Sequence, residues 1–207
     1  MMKGTVVDAK TLRTPSELKK IGDQKPGYYK WWAKKGELET ILKALNVKLK
    51  DIVNAIEKNG DLYCIYVGIA AKESIRDRLN WHINQGHSWS AVKSGTLSTL
   101  RQSISSVVAK NQRAEDETNS FIDKLKVEYY LKKDGEIKTK NTEKELLNIE
   151  KSLMEKNLYV LNIKDNEHQI AKKTKEPLSN LRKYSWYKAI IEFFEEDKEK
   201  RLFKDFQ

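Results

Sequence analysis

Residues 63–68 of the chain are Tyr63-Cys64-Ile65-Tyr66-Val67-Gly68, at the centre of a run from 62 to 69 that is apolar almost throughout. A short continuous apolar run of this kind is typical of a central strand. A second aromatic stretch, Gly27-Tyr28-Tyr29-Lys30-Trp31-Trp32-Ala33, is rich in residues that favour strands. The two strands are expected to pair side by side, which would bring Tyr29 and Tyr66 to one face of the sheet.

Helices are predicted around these strands, because apolar residues recur there every three to four positions. They fall at 36–58 with a break near Asn46, at 73–84, at 97–109, at 142–157, and from Ser185 to about Phe206. Thr142 and Glu145 form a capping-box pattern where the fourth helix should begin. Residues 85–98 are expected to be loop, residues 111–119 loop or the end of a helix, and residues 125–131 a third strand.

The chain is strongly basic, since its 40 Lys and Arg outnumber its 30 Asp and Glu and give a net charge of +10 over 207 residues. This excess favours polyanionic partners: DNA, RNA or an anionic membrane. No apolar run approaches the roughly 18 residues of a membrane-spanning helix. The single cysteine, Cys64, cannot form an internal disulfide and is expected to be a buried thiol in a cytoplasmic protein. One cysteine and three histidines do not suggest a zinc site.

Glu150 interrupts an apolar face of the predicted helix at 142–157. Four apolar residues lie three or four positions from it and share its face: Leu146, Leu147, Leu153 and Met154. An unpaired buried carboxylate is costly, so Glu150 should face a cation. That cation is either Mg²⁺, which prefers carboxylate oxygens and keeps most of its water, or an Arg or Lys in a structural ion pair. The helical pattern leaves both alternatives open.

Arg78 and His82 are four positions apart on the predicted helix at 73–84, so their side chains are neighbours. They lie beside the apolar stripe of that helix, at a boundary expected to face a cleft or solvent. Arginine can grip a phosphate with two donors, and histidine can exchange a proton near neutral pH. Arg76 competes with Arg78 for the phosphate role. Taken singly, the pair also fits plain surface residues, and Tyr29 and Tyr66 also fit tyrosines that only pack.

Taken together and in order, these features resemble the GIY-YIG nuclease superfamily. The matching segments are Gly27-Tyr28-Tyr29, Tyr66-Val67-Gly68, the helix with Arg78 and His82, the helix with Glu150, and then Asn162. The resemblance covers about residues 26–165 and is closest in layout to members that resemble type II restriction enzymes and carry insertions. In compact members the two tyrosine signatures lie close together, whereas here they are 37 positions apart (66 − 29).

The resemblance implies an α/β (α+β) fold, with a small central three-stranded antiparallel sheet flanked by helices. The nuclease domain would span residues 26–165, with helical insertions at 36–58 and 84–120. A basic N-terminal extension, residues 1–25, would precede it. Residues 166–207 would form a basic segment and a C-terminal helix that packs on the core.

The resemblance also implies an endonuclease that hydrolyses DNA phosphodiesters with a divalent metal, Mg²⁺ or its substitute Mn²⁺, and leaves 5′-phosphate and 3′-hydroxyl ends. In that chemistry Tyr29 would activate or orient the attacking water, and Tyr66 would help to place it or hold the phosphate. His82 would assist proton transfer through a tyrosine hydroxyl.

The remaining implied roles concern the phosphate and the metal. Arg78 would stabilise the charge that develops on the phosphate, Glu150 would bind the metal, and Asn162 would orient the site. Cleavage of a palindrome would need two active sites, hence a homodimer or two successive nicks. Double-stranded DNA is the expected partner, with no membrane, and the role would lie in restriction, other defence or DNA repair.

Basic residues outside this set are candidates for contacts with DNA. Lys93 and Arg101 belong to the segment 88–101, which could enter a groove and read bases. The candidates for contacts with the DNA backbone are Lys30, Lys34, Lys35, Lys172, Lys173 and Lys175. Such contacts would give affinity that depends on salt and carries no sequence information. The plainer alternative is that a lysine-rich surface only keeps the protein soluble.

Two other interpretations of the whole chain compete with the nuclease. One is a nucleic-acid-binding module that keeps the fold but does not cut. The other is a structural or partner-binding helical protein, in which the tyrosines belong to the core and Glu150 to an ion pair. It predicts neither cleavage nor stabilisation by Mg²⁺.

Overall fold

The structure is a computed structural model that describes residues 4–22, 24–132, 134 and 136–204. Its strands are β1 (Thr5–Asp8), β2 (Gly27–Ala33), β3 (Lys58–Asn59), β4 (Leu62–Ala70) and β5 (Lys126–Leu131). Its α-helices are α1 (Pro15–Lys19), α2 (Lys35–Ala44), α3 (Ile75–Asn84), α4 (Trp89–Lys93), α5 (Thr99–Ala109), α6 (Glu115–Ile122), α7 (Lys140–Lys156) and α8 (Lys172–Lys204). Two 3₁₀ turns cover Thr11–Arg13 and Leu49–Asp51.

The strands form one antiparallel sheet in the order β1-β5-β2-β4-β3. Its centre, β5-β2-β4, is the predicted three-stranded sheet, so the predicted α/β fold is confirmed. The edge strands β1 and β3 are additions that the sequence did not indicate, because they are only four and two residues long. Strands this short show too little alternation of apolar and polar residues to be recognised.

The register of β2 and β4 places the two signature tyrosines together. Tyr29 pairs with Gly68, and Trp31 pairs with Tyr66 before a bulge between Trp31 and Trp32 shifts the register. Residues two apart on a strand share a face, so Tyr29 and Tyr66 point to the same side. Their ring centroids are 6.4 Å apart, which confirms the predicted pairing.

The core has a larger and a smaller part on opposite sides of the sheet, and a third, small cluster joins α4 to α8 through Val92 and Ala189. The larger part contains Trp31 and buried residues of α2, α3 and α5. The smaller part contains Trp32 and Cys64 of the strands together with Met154 of α7. Because Trp31 and Trp32 are consecutive on β2, their side chains enter the two parts separately. The predicted burial of Cys64 is confirmed.

Several predicted element boundaries were wrong. The break predicted near Asn46 is present, since α2 ends at Ala44 and Asn46 has a left-handed φ of 55°, but a 3₁₀ turn at Leu49–Asp51 follows instead of the second helix expected up to residue 58. The predicted loop at 85–98 contains α4, which Ser88 caps by accepting a hydrogen bond from Ala91 N. Residues 111–119 include the start of α6 rather than only a loop or a helix end. These elements are short, so their apolar periodicity is weak.

The last two helices begin earlier than predicted. Thr139, not Thr142, caps α7, because its side chain accepts a hydrogen bond from Thr142 N. Helix α8 begins at Lys172 rather than Ser185, although Pro177 lies inside it, a residue that usually argues against a helix. Its predicted end at Phe206 lies outside the described residues. Among the helices described, none has the length and apolar character needed to cross a membrane.

The N-terminal residues take part in the main structure. Strand β1 pairs with β5, and Ala9, Leu12 and Ile21 belong to the larger core. The division of the chain at residues 25 and 165 stays a prediction.

Candidate active site

A cleft of about 390 Å³ brings five of the six predicted catalytic residues together. Its walls come from elements far apart in the sequence: β2, β4, α3, α7 and the segment after α7. The five residues that line it are Tyr29, Tyr66, Arg78, Glu150 and Asn162. The sixth, His82, lies directly behind Tyr29.

Tyr29 and His82 form a buried pair. The Tyr29 Oη and His82 Nε2 atoms are 2.6 Å apart in a hydrogen bond, and the two residues are 2% and 1% exposed. Burial raises the pKa of Tyr29 well above its ordinary value, with a further contribution from Tyr66. Burial, followed by the charges of Arg78 and Arg101, lowers the pKa of His82 well below its ordinary value. His82 is therefore neutral near pH 7 and able to accept a proton.

The predicted position of His82 at a boundary facing a cleft or solvent was wrong. Its ring lies between aromatic side chains, with centroids 5.3 Å from Tyr29, 6.0 Å from Tyr66 and 6.1 Å from Trp31. These contacts turn the His82 face of α3 toward the sheet. Among the described residues, no partner is within hydrogen-bonding reach of the buried His82 Nδ1.

Arg101 fixes the end of the helix that carries His82. Its fully buried guanidinium donates to the carbonyl oxygens of His82 and Ile83, at 3.1 and 3.0 Å, and to His87 Nε2 at 2.9 Å. Arg13 donates to the same Ile83 oxygen at 2.7 Å. The last carbonyls of a helix lack partners within it, so these arginines complete α3 at its C-terminal end. The enclosed Arg101 cannot reach DNA, so its prediction as a DNA contact was wrong.

Arg78, and not Arg76, reaches the cleft. Arg76 lines a separate groove beside α1. The Arg78 Nη2 atom is 2.5 Å from Glu73 Oε1, and its guanidinium carbon lies 4.8 Å from the centre of the Trp81 ring. Within the described chain, the buried Arg78 Nε has no hydrogen-bond partner. Glu73 and Trp81 hold the guanidinium in place while leaving a donor unused.

Tyr66 lines the cleft within the electrostatic influence of Glu150, Arg78 and Arg182. It is 7% exposed, and burial, followed by the charge of Glu150, raises its pKa to about 12. The positive charges of Arg78 and Arg182 act in the opposite direction. The Tyr66 hydroxyl is therefore protonated at neutral pH and can donate a hydrogen bond.

Glu150 is a half-buried carboxylate that no side chain neutralises by contact. In the part of the chain that the structure describes, it forms no hydrogen bond or ion pair, so the predicted structural ion pair is not present there. Burial, then the charge of Asp165, raises its pKa to about 7, while Lys164 and Arg78 act to lower it. Leu147 on the same face is 45% exposed and lines the cleft, whereas Leu146 and Met154 are buried, so Glu150 lies where this face passes from the core to the cleft.

The residues at Glu150 fit a hydrated divalent cation. Across the described residues, no group of three or more His, Cys, Asp or Glu side chains could enclose a metal. Mg²⁺ is held in many sites by one or two carboxylates and keeps several waters. The single carboxylate of Glu150, which has no protein cation in contact, suits such an ion and does not suit zinc.

Asn162 fastens the segment after α7 to strand β4. Its Oδ1 accepts a hydrogen bond from Val67 N at 3.0 Å, and its Nδ2 donates to Val67 O at 2.9 Å. Val67 lies between Tyr66 and Gly68, so the amide holds the strand at the cleft. Its polar atoms are thus occupied by the protein, which fits an orienting role better than contact with a substrate.

The other predicted DNA contacts lie outside the cleft. Lys30 is buried with its Nζ 2.6 Å from Glu57 Oε1, which corrects its prediction as a DNA contact. The exposed ones are Lys34, Lys35, Lys93, Lys172 and Lys173, and Lys175 is half-buried. None of them is among the described residues that line the cleft.

Sequence reasoning missed several side chains at the site. Lys72, Glu143, Lys164 and Asp165 line the cleft, and Glu73 pairs with Arg78. Lys164 and Asp165 are two and three positions after Asn162, so their closeness in sequence to a predicted site residue could have indicated that they line the cleft. Lys72, Glu73 and Glu143 carry no local signal, because only the tertiary structure brings them to the cleft.

Comparison with known proteins gives one match. Residues 27–184 match the family described as the GIY-YIG catalytic domain. No curated protein and no solved structure matches the chain.

Proposed function

Because this chain belongs to the GIY-YIG catalytic domain family, we propose that it is a divalent-metal-dependent endonuclease that cuts DNA to 5′-phosphate and 3′-hydroxyl ends. The family supports a nuclease-type function and a nucleic-acid substrate. The observation that carries the proposal is the composition of the cleft. Tyr29, which is hydrogen-bonded to the buried His82, and the unpaired carboxylate of Glu150 both line it.

The Tyr29–His82 pair supplies a path for the proton of the attacking water. In this proposal the water gives a proton to Tyr29 Oη as the hydroxyl proton of Tyr29 moves to His82 Nε2. The high pKa of Tyr29 disfavours a free phenolate, so the two transfers would occur together. The low pKa of His82 keeps the imidazole neutral, with Nε2 available as an acceptor, and it also makes His82 a weak base.

Arg78 and Tyr66 act on the phosphate. The guanidinium of Arg78, which lines the cleft, and the protonated hydroxyl of Tyr66 would donate to non-bridging oxygens as negative charge grows there. The bond from phosphorus to the 3′ oxygen breaks, and that oxygen takes a proton from water. Glu150 would hold the metal, which when bound offsets negative charge near the leaving oxygen.

Plasmid cleavage tests the activity and the role of Glu150. Wild type with Mg²⁺ should nick or cut the plasmid, whereas EDTA or Glu150→Gln should abolish cutting. Glu143→Gln is the matched control, because Glu143 lines the same cleft but is paired with Lys72 at 3.2 Å. Cutting by Glu150→Gln at the wild-type rate would refute the metal role. Binding without cutting in Mg²⁺ and Mn²⁺ would favour the non-cleaving module.

The same assay tests the proton path. Tyr29→Phe should lower the cleavage rate by about 100-fold or more while leaving DNA binding unchanged. Tyr28→Phe is its control, since Tyr28 stacks on Tyr130 with ring centroids 4.2 Å apart and does not line the cleft. An unchanged rate in Tyr29→Phe would remove Tyr29 from the mechanism. A duplex substrate, a homodimer, a cytoplasmic location and a role in defence or repair stay predictions.

A further inference from the structure

A second groove, of about 510 Å³, lies beside the candidate active site. Its walls include Gln102, Ile163, Arg182, Lys183, Trp186 and Tyr187. Ile163 also lines the catalytic cleft, and the charge of Arg182 acts on the Tyr66 hydroxyl. A polymer that occupies the cleft could therefore continue into the groove without leaving the protein surface.

The groove is cationic. Its charged lining residues are Arg182 and Lys183, and no carboxylate is among the described residues that line it. The cleft, by contrast, is lined by equal numbers of cationic and acidic side chains. Arg182 donates a hydrogen bond to Gln102 Oε1, and neither cation forms an ion pair with any described residue. Two cations without a counter-charge favour an anion such as a phosphate.

The groove also has an aromatic wall. Trp186 is held by a 2.9 Å hydrogen bond from its Nε1 to Val92 O, which fixes the indole ring. The Tyr187 ring lies 5.1 Å from it at an angle of 72°, and Tyr187 is 60% exposed. Aromatic faces beside cationic groups are the usual means of holding single-stranded nucleic acid.

We propose that this groove holds an unpaired nucleotide next to the phosphodiester in the cleft. The preferred substrate would then be DNA with a single-stranded segment beside a duplex. A base within a duplex is already stacked and cannot offer its face to Tyr187, whereas an unpaired base can. The volume lies in the range of roughly 300–1,000 Å³ that is usual for small-ligand pockets. The proposal rests on the proposed function, because it needs a nucleic acid in the neighbouring cleft.

Binding without cleavage tests this directly. Fluorescence anisotropy in EDTA would compare a blunt DNA hairpin with the same hairpin carrying a short 5′ or 3′ single-stranded tail. Wild type should bind one tailed hairpin about 10-fold more tightly than the blunt one. Tyr187→Ala should abolish this preference and leave binding of the blunt hairpin unchanged. Tyr184→Ala should keep the preference, since Tyr184 is 57% exposed on the same helix but lies outside the groove.

Equal binding of blunt and tailed hairpins by wild type, or failure to bind either, would overturn the proposal. A preference that Tyr187→Ala retains would do the same. Sedimentation of Tyr187→Ala tests an alternative. If the variant alters self-association and not binding of the tailed hairpin, Tyr187 belongs to a contact between copies of the chain, and the proposal is wrong.

The nuclease proposal is judged separately, by cleavage with Mg²⁺. A tail preference that depends on Tyr187, without cleavage of any DNA, supports the groove and refutes the nuclease. Plasmid cleavage without a tail preference supports the nuclease and refutes the groove.

Discussion

Glu150 reduces the stability of the folded protein while it is charged. Its pKa rises from 4.5 to about 7, chiefly because the carboxylate is half-buried. A carboxyl group whose pKa is higher in the folded state binds its proton more tightly there than in the unfolded chain. The wild-type protein therefore loses stability through this group as the pH rises from about 4.5 to about 7, and regains it as the pH falls.

Replacement of Glu150 by glutamine should remove this penalty. In EDTA at pH 8, Glu150→Gln should raise the free energy of unfolding by about 1–3 kcal/mol, a range that allows for the partial exposure of the group. The gain should disappear near pH 4, where the wild-type carboxyl is protonated in both states. Urea unfolding at the two pH values measures it.

Glu143→Gln again serves as the control, and it should change stability by less than about 1 kcal/mol because its ion pair with Lys72 is exposed. A Glu150→Gln protein that is no more stable than wild type at pH 8 would contradict this prediction. It would mean that the Glu150 carboxylate is solvated or paired in solution.

Single residues also show which roles the sequence could predict and which it could not. Glu150, Arg78 and Tyr29 indicated a site only through the resemblance of their order in the chain to the GIY-YIG family. Arg101 was misplaced because the residues around it on α5 look polar, whereas Ser103 and Ser106 are buried and donate to backbone oxygens of their own helix. Such internal hydrogen bonds let a polar helix face be buried, and the sequence pattern does not show them.

The pairing of β2 with β4 depends on a glycine at one position. A Cβ atom on Gly68 would lie 2.5 Å from the Tyr29 Oη atom. The second signature therefore ends in glycine because the partner strand places the Tyr29 hydroxyl against its backbone.

Gly68→Ala should displace the Tyr29 hydroxyl from His82 and strain the sheet. We expect the free energy of unfolding to fall by about 1–3 kcal/mol, as for other overpacked sites, and cleavage to fall with it. Gly36→Ala is the control, because nothing lies within 4 Å of a Cβ at that position and alanine is favoured in helices. A Gly68→Ala protein with wild-type stability and activity would show that Tyr29 does not need this close approach.

At the level of elements, the sequence predicted the long ones and missed the short ones. Strands β2, β4 and β5 and helices α3, α5 and α7 were expected near their observed places, because each repeats its apolar residues clearly. The early start of α8 was hidden by Pro177. Which residues face one another across elements, such as Asn162 and Val67, depends on the tertiary structure and was not predictable.

The net charge of +10 acts over the whole molecule. Lys172 and Lys173 are exposed at the start of α8 and remain predicted contacts with the DNA backbone. Replacing both by glutamine should weaken DNA binding at low salt. The slope of log affinity against log salt should fall by about 2, since each phosphate that a lysine neutralises adds roughly 0.9 to it. A salt titration of duplex binding measures this slope.

The matched control variant replaces Lys19 and Lys20 by glutamine and so removes the same total charge. These two lysines are exposed at the end of α1 and just after it. The control variant should leave the slope nearly unchanged. Equal effects of the two double variants would show that only total charge matters and that α8 makes no particular contact.

The two outer strands bear on how the protein behaves at high concentration. A sheet edge exposes unpaired N–H and C=O groups, on which strands of other molecules can assemble into aggregates. Here one edge is the four-residue β1 and the other the two-residue β3, which begins with Lys58. Strand β3 covers only Leu62 and Tyr63 of β4, and beyond them Leu161 N and the Asn162 amide occupy Ile65 O and the Val67 backbone, so this edge also offers few groups for intermolecular strand pairing.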